Sequence, residues 1–436
     1  MGLTRRELLQ GIGAGVAALG AASPVLAAMA SDSQATQDGG EQGACSLLAS
    51  VSPAATRGRI SLPDRGNFLF DGVYLNAAYT HPIGVRTGQA TMKYLQSRMR
   101  DATRNWPVQN AHDEAARLYA ALINASPSEI AIVPSTLTGE NLIASSLGLG
   151  KGAGVVTDAF HYNASLVMYG ELHKKGMPLV VVAPRGQKID YDDVEKAITS
   201  ETRLVAISLV SSDTGFMHDL KTVCEIAHRK GALVYADIIQ AVGAIPFDVR
   251  ESGVDFCCAG MYKFLMADFG AAFLYVRADR LPQMKRVELG WRAIKTLKKH
   301  NMPFDPPGPI SGDWVLGTDA ASIFEVSTPD WSAYAAVSES IAYINDIGVD
   351  TIALHRKPLL DSLQEDLPRA HFEPLTPRDH QGTSVVFAYR GAGPRFRDAL
   401  KKSGIAVTIY ENNIRISPSV YNDMEDIDAL KRVLMA

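Results

Sequence analysis

Cysteine is scarce: Cys45, Cys224, Cys257 and Cys258 are the only four in 436 residues, and no two are spaced as CxxC. That scarcity excludes a disulfide framework and a thiolate zinc site. Cys257 and Cys258 sit side by side in an apolar run, where a thiol usually serves as a small buried hydrophobe. Charge of one sign is also lacking. The 43 Lys and Arg stand against 47 Asp and Glu, a net charge of −4, which gives no electrostatic case for binding nucleic acid. There is no internal repeat. What the chain has in quantity is ordinary globular material, 47% hydrophobic and 21% charged residues, enough for a large core and more than one lobe.

The first thirty residues differ from the rest. Thr4-Arg5-Arg6-Glu7-Leu8-Leu9 precedes the uncharged stretch Gly11 to Ala22, and Ala28-Met29-Ala30 follows. A charged start, an apolar middle and small residues at a cleavage point are the order of a secretory signal. The stretch is short and glycine-rich for a membrane anchor. Gly11, Gly13 and Gly15 mimic a dinucleotide loop, but no strand precedes them. The paired arginines with leucines behind them resemble the twin-arginine signal. That resemblance implies removal of residues 1–30, export by the twin-arginine machinery and a mature protein in the periplasm. Residues 31–60, rich in Ser, Gln, Ala, Gly and Asp, read as a flexible lead-in.

From Phe70 onward, apolar runs alternate with helical patterns. Strands are expected at Glu129–Pro134, Gly154–Thr157, Leu179–Ala183, Leu204–Val210, Ala232–Ala236, Phe256–Ala259 and Ala271–Val276. Helices are expected at Asn141–Gly148 and Leu220–Lys230. Continuous apolar strands between helices argue for an α/β fold with a mostly parallel sheet covered on both faces. Residues 70–330 form the large domain on this reading. Glu288–Asp319, polar and rich in Gly and Pro, reads as a long functional loop or lid. Residues 331–436 form a small α+β domain, with helices at 331–346, 350–367 and 396–403 and strands at 383–389, 405–409 and 414–417; it packs with the 60–80 segment.

In a parallel sheet, ligands gather outside the carboxyl ends of the strands. Asp237 stands just past one such strand, Gln240 three residues later, and Lys263 just past the next strand. An acid able to hold a protonated pyridine and a lysine able to form an imine are what pyridoxal 5′-phosphate (PLP) chemistry most needs. By spacing alone, a helix-capping Asp and a solvated Lys explain the same pair.

The segment from Gly231 to Asp248, followed by Val254-Asp255-Phe256 and Tyr262-Lys263, resembles the core of the class V aminotransferase family. That family includes cysteine desulfurases, kynureninases and isopenicillin N epimerase-like proteins. The resemblance runs from about Phe70 to Ala436 and is strongest between Leu204 and Val276. It implies a PLP-dependent transferase fold of the aspartate aminotransferase kind, a homodimer, and Lys263 as the residue that carries the cofactor. Asp237 would pair with the pyridine nitrogen and Gln240 with the ring's phenolic oxygen. Pro134 to Asn141, at a strand-to-helix junction suited to anions, resembles the phosphate loop, with Thr136 and Leu137 in contact. His161 matches the aromatic that stacks on the ring. Glu325 to Pro329 resembles a segment whose threonine, here Thr328, reaches the partner's phosphate. Arg415 matches the arginine that clamps a substrate carboxylate, and Asn76 to His81 the segment lining the substrate side.

Three positions depart from the family pattern: Ser212 stands for Asn, Gly260 for Ser and Tyr262 for His. The hydroxyl of Tyr262 or a backbone amide could replace the lost serine at the phosphate. No cysteine follows Cys258, so the mobile thiol of a desulfurase is missing. The expected function is PLP-dependent action on an amino acid or peptidyl amino group, by transfer of the cofactor from Lys263 to that amine and then removal of the α-proton by the freed lysine. Transamination, epimerisation and elimination remain open, as does a non-catalytic PLP- or peptide-binding protein. Class V proteins with such a signal include a periplasmic enzyme that tailors the siderophore pyoverdine, and this sequence is similar to it in length, signal and motif order.

Overall fold

The computed structural model describes residues 60–100, 111–328 and 330–436. The expected export signal lies outside them, as does nearly all of the lead-in.

A two-residue strand, β1 (Val73–Tyr74), precedes the central sheet. That sheet comprises β2 (Ile130–Val133), β3 (Gly154–Asp158), β4 (Leu179–Val182), β5 (Thr202–Ser208), β6 (Leu233–Asp237), β7 (Phe256–Gly260) and β8 (Ala272–Val276). Their spatial order is β2–β8–β7–β6–β5–β3–β4. Only β8 runs against its neighbours; β7, β6, β5, β3 and β4 pair in parallel. Every residue of β2, β3, β6, β7 and β8 is buried. That is why these strands read as unbroken apolar runs and not as alternating ones. At the edge, β4 exposes Val180 and Val181.

Several crossover helices start where side chains cap them. Ser135 accepts from the Thr138 amide at the head of helix 136–146, and Asp219 accepts from the Thr222 amide at the head of helix 220–229. Each cap satisfies an amide that the first helical turn leaves without a partner. The helix therefore begins five residues earlier than Asn141, because the cap and not the first apolar residue sets its start.

The expected lid at 288–319 is partly ordered as a hairpin, β9 (Ile294–Lys298) against β10 (Asp313–Leu316). The Pro- and Gly-rich run from Asn301 to Pro309 is confined to its tip. Alternation within two short strands is too brief to register against that composition.

The smaller lobe is an antiparallel sheet of β11 (Glu373–Pro374), β12 (Val385–Ala388), β14 (Thr408–Ile409) and β15 (Asn413–Ile416), in the order β11–β12–β15–β14. Between β12 and β14, strand β13 (Ile405–Ala406) pairs with β1 instead, so the 60–80 segment is stitched into this lobe. Helices 349–366, 392–402 and 424–435 supply the rest of its core, with Leu359, Leu363, Phe396, Leu400 and Leu430. Helix 331–347 does not belong there. Its buried face, including Tyr334, Val337, Ile341 and Ile344, joins the core of the central sheet. The core of the smaller lobe thus draws its first helical residues from Leu359 onward.

Candidate active site

Asp237 is the last residue of β6 and lies opposite Ser208 of β5. It is buried, and its Oδ1 accepts a single hydrogen bond, from the Ile239 amide at 3.0 Å. Burial pushes its carboxyl up to about 6, against the pull of the Ile239 amide and of Lys263. Lys263 follows the end of β7 by three residues. Burial lowers its amine to about 8, with Asp237 opposing and Arg415 adding to the fall. Its Nζ lies 5.8 Å from the centre of the Tyr262 ring.

Arg415 comes from the other lobe, in β15 opposite Val386 of β12. Its Nη1 donates to the Ser212 carbonyl at 2.8 Å and its Nη2 to Thr408 Oγ1 at 3.2 Å. Its buried Nε has no partner among the described residues, and none of their carboxylates forms an ion pair with it. Burial lowers its pKa, with the Tyr410, Asp213 and Tyr79 side chains working against that fall. A buried guanidinium left without an acid is costly, and its two-donor fork suits a carboxylate supplied from outside.

The anion end of the site is the start of helix 136–146, where the first-turn amides of Thr136 and Leu137 have no intrahelical carbonyl to reach. Thr136 Oγ1 accepts from the Gly260 amide at 2.8 Å and keeps its own proton for another acceptor. Gly260 is the departure that the structure explains. A Cβ there would lie 3.0 Å from Ile239 Cδ1 and 3.1 Å from Tyr262 Cε1. The tyrosine before Lys263 occupies the room that a serine needs. That ring stacks on Phe269 at 4.4 Å and 20°.

Two expected site residues are held at both ring nitrogens by the protein itself. His161 is fully buried, with Nε2 2.8 Å from Glu140 Oε1 and Nδ1 2.9 Å from Ser208 Oγ. Its ring edges are therefore committed to the protein interior. Burial disfavours its charge, but the Glu140 carboxylate outweighs that and holds its pKa above the ordinary histidine value. Its neighbour Tyr162 is 44% exposed and close enough to Asp237, Asp213 and Tyr410 for their charges to raise its pKa, after burial itself. The edges of the His161 ring are engaged, and Asp237 is near enough to help raise its pKa; Tyr162 adds a second aromatic ring beside Asp237. His81 is a correction. It is buried, its Nδ1 lies 2.8 Å from the Pro82 carbonyl and its Nε2 2.8 Å from Ser419 Oγ, and burial pushes its pKa down to about 4. It braces the chain behind the site, while Tyr79 from the same segment is 53% exposed and interacts with Arg415 and Tyr262.

The remaining positions are mixed. Gln240 is buried. Its Nε2 donates to the Ala78 carbonyl at 3.1 Å and its Oε1 has no partner among the described residues. Asn76 accepts from Thr408 Oγ1, the hydroxyl that Arg415 also touches. The Ser212 hydroxyl turns to Asp213 at 3.1 Å, so Ser212 serves the site through its carbonyl. Thr328 is exposed on the rim of a cleft formed with Ile132, Thr138, Gly270 and Glu288, outside the group around Asp237 and Lys263.

The donor set fits PLP on the structure's own terms. A buried carboxylate short of partners, an amine of lowered pKa and a helix start with free amides match a pyridinium, an aldehyde and a phosphate.

A family model described as aminotransferase class-V matches residues 73–430. A probable cysteine desulfurase of Methanothermobacter thermautotrophicus is 28% identical over 68% of this chain and 72% of that one. An uncharacterized aminotransferase of Bacillus subtilis is 29% identical over 78% of this chain and 87% of that one. Among solved structures, an apo cysteine desulfurase from Thermococcus onnurineus has a TM-score of 0.74 at 21% identity, covering 86% of this chain and 98% of that one. The cystine C–S lyase C-DES, solved with its product cysteine persulfide, has a TM-score of 0.73 at 18% identity, covering 83% and 97%. At such identities these structures show the fold, the α/β fold of PLP-dependent transferases. With the family model spanning both lobes and the site between them, this chain belongs to the class V aminotransferase family.

Proposed function

We propose that the protein acts on an amino acid, free or within a peptide, whose carboxylate is held by Arg415. Its cofactor is PLP, and it is an enzyme of the class V aminotransferase type. The observation that carries the proposal is Arg415 itself, buried, without an acid partner and near enough to Lys263 to lower its pKa.

When bound, PLP supplies an aldehyde that condenses with amines and a protonated ring that withdraws electrons. The chain's own residues do the rest. Asp237 would hold the proton on the ring nitrogen, and its lack of competing donors suits it to that charge. The first turn at Thr136 and Leu137 would hold the phosphate, with His161 and Tyr162 as the aromatic side chains nearest Asp237. Gln240 Nε2 has a second proton beyond the one given to Ala78. Arg415 orients the substrate so that the carbon bearing its amine faces Lys263, and Lys263 Nζ takes the proton from that carbon.

Sulfur transfer is not part of this reading. Cys224, Cys257 and Cys258 are buried, and burial raises each thiol's pKa far from the thiolate that sulfur acceptance needs. Cys45 lies outside the described residues. The signal at Arg5-Arg6 supports export to the periplasm, since the twin-arginine route suits a folded, cofactor-loaded protein. A peptidic siderophore precursor such as that of pyoverdine is the substrate this location favours. The exposed Thr328 suits a homodimer in which it reaches the partner's phosphate. The test is incubation of the purified protein with amino acids and siderophore precursors, following the cofactor by absorbance and the products by mass spectrometry. Turnover of a carboxylate-bearing amine is expected. Persulfide formation from cysteine as the sole reaction would overturn the proposal.

A further inference from the structure

Arg356, in helix 349–366, is 2% exposed and has no ion-pair partner among the described residues. Its Nε donates to the Pro418 carbonyl at 2.8 Å, its Nη2 donates to the Thr383 carbonyl, and its Cζ lies 5.1 Å from the centre of the Phe264 ring. Burial lowers its pKa to about 10. If the position required only packing, a methionine or leucine would fill it without the cost of desolvating a charge. What a guanidinium adds is a rigid fork that holds two carbonyls and a ring at once.

The three groups it holds are the neighbours of the catalytic parts. Pro418 is three residues beyond Arg415 on the same extended segment. Thr383 leads into β12, whose Val386 pairs with Arg415, and its hydroxyl donates to the Gln240 carbonyl at 2.6 Å. Phe264 directly follows Lys263.

We infer that Arg356 is a positioning residue that sets the separation between Arg415 and Lys263, by tying the strand of one and the turn of the other to a single guanidinium. The inference rests on the reading of Arg415 as the carboxylate site. Small errors of placement are expensive for such a pair, because about 1 Å can cost two orders of magnitude in rate.

The test uses the PLP-loaded full-length protein and two probes that need no knowledge of the natural substrate. Aminooxyacetate carries a carboxylate and O-methylhydroxylamine does not. Each replaces Lys263 on the aldehyde carbon: the C=N bond to lysine breaks, a C=N bond to the probe forms, and lysine leaves as the amine. Absorbance follows both reactions. The wild-type protein should react about tenfold or more faster with the carboxylate probe, and Arg415→Ala should erase that advantage. Arg356→Lys and Arg356→Met should shrink the advantage about fivefold or more, with the O-methylhydroxylamine rate and the cofactor spectrum changed by less than about twofold. A merely structural arginine would lower thermal stability and leave the ratio of the two rates intact.

If Arg356→Met does not fold, Arg356→Lys and Phe264→Leu carry the test, the latter removing the ring beneath an intact guanidinium. Full retention of the advantage in the folded variants, with its loss in Arg415→Ala, overturns the positioning role and leaves the site reading standing. Retention in Arg415→Ala overturns the site reading, and the positioning role falls with it.

Discussion

Glu140 and Asp237 are both buried carboxylates, near enough for the charge of Glu140 to act on Asp237, and the chain treats them in opposite ways. Glu140 accepts from His161, Ser165 and Tyr169 at 2.8, 2.5 and 2.7 Å. Burial pushes its pKa up, but these partners outweigh it and the net shift is downward. Asp237 receives one backbone amide and its pKa stays raised, at about 6. The first acid is completed by the fold. The second is left incomplete, as are Arg415 Nε and Gln240 Oε1. Of these two acids, the one that ties helix 136–146 to its neighbours is satisfied from within, and the one that would meet a ligand is not.

Breaking the satisfied acid should have the largest effect on folding. Glu140→Gln removes the carboxylate that raises the His161 pKa and leaves that buried ring to a neutral amide, and removing one member of a buried pair costs about 3–5 kcal/mol. Denaturation midpoints of the PLP-loaded protein should fall accordingly while the cofactor spectrum is kept. A loss under about 1 kcal/mol would mean that the cluster is not the scaffold described here. At the unsatisfied end, Arg415→Ala should keep the cofactor spectrum and lose about 2–5 kcal/mol of transition-state binding, read as kcat/KM. Arg415→Lys should restore only part of this, because an ammonium cannot reproduce the fork.

Asp237→Asn should separate stability from function. The carboxyl is raised from 3.8 to about 6 in the folded chain. Its contribution to the apoprotein is therefore fully present below pH 3.8 and lost as pH rises through 6, a cost of up to about 3 kcal/mol at neutral pH. The asparagine variant should thus be more stable as apoprotein at pH 7.5, lose that advantage near pH 4, and bind PLP poorly. Thermal scans of both apoproteins against pH provide the check, and a variant less stable at every pH would break the comparison.

The smallest effect is kinetic. With Lys263 near 8, the neutral amine that captures the aldehyde grows about tenfold per pH unit up to 8 and levels off above it. Stopped-flow loading of apoprotein with PLP should follow that curve. A plateau reached only above pH 10 would mean that the lysine is not desolvated.

Much of this was legible in the sequence because strand ends and apolar runs are local signals. Asp237 and Lys263 stand after buried strands, a placement that by itself suits a cap and a solvated lysine as well, so the resemblance to the family singles them out; Thr136 and Leu137 come from the same resemblance, at a strand-to-helix junction. That both nitrogens of His161 are taken up within the protein was not legible, because Glu140, twenty-one residues earlier in helix 136–146, and Ser208, forty-seven residues later, hold them. His81 failed for the same reason, since Ser419 fixes its ring from a sequence distance of 338 residues. The hairpin of β9 and β10 was hidden by the composition of its own tip. For both histidines the deciding partner is remote in sequence, and no local pattern encodes it.

The central claim is that the incomplete groups form one PLP site built around Lys263. Borohydride reduction of the PLP-loaded protein, followed by digestion and peptide mass mapping, tests it most directly. The account predicts that the cofactor is fixed on the peptide containing Lys263 and is absent from it in Lys263→Ala. Cofactor fixed on another lysine of the wild-type protein would contradict it.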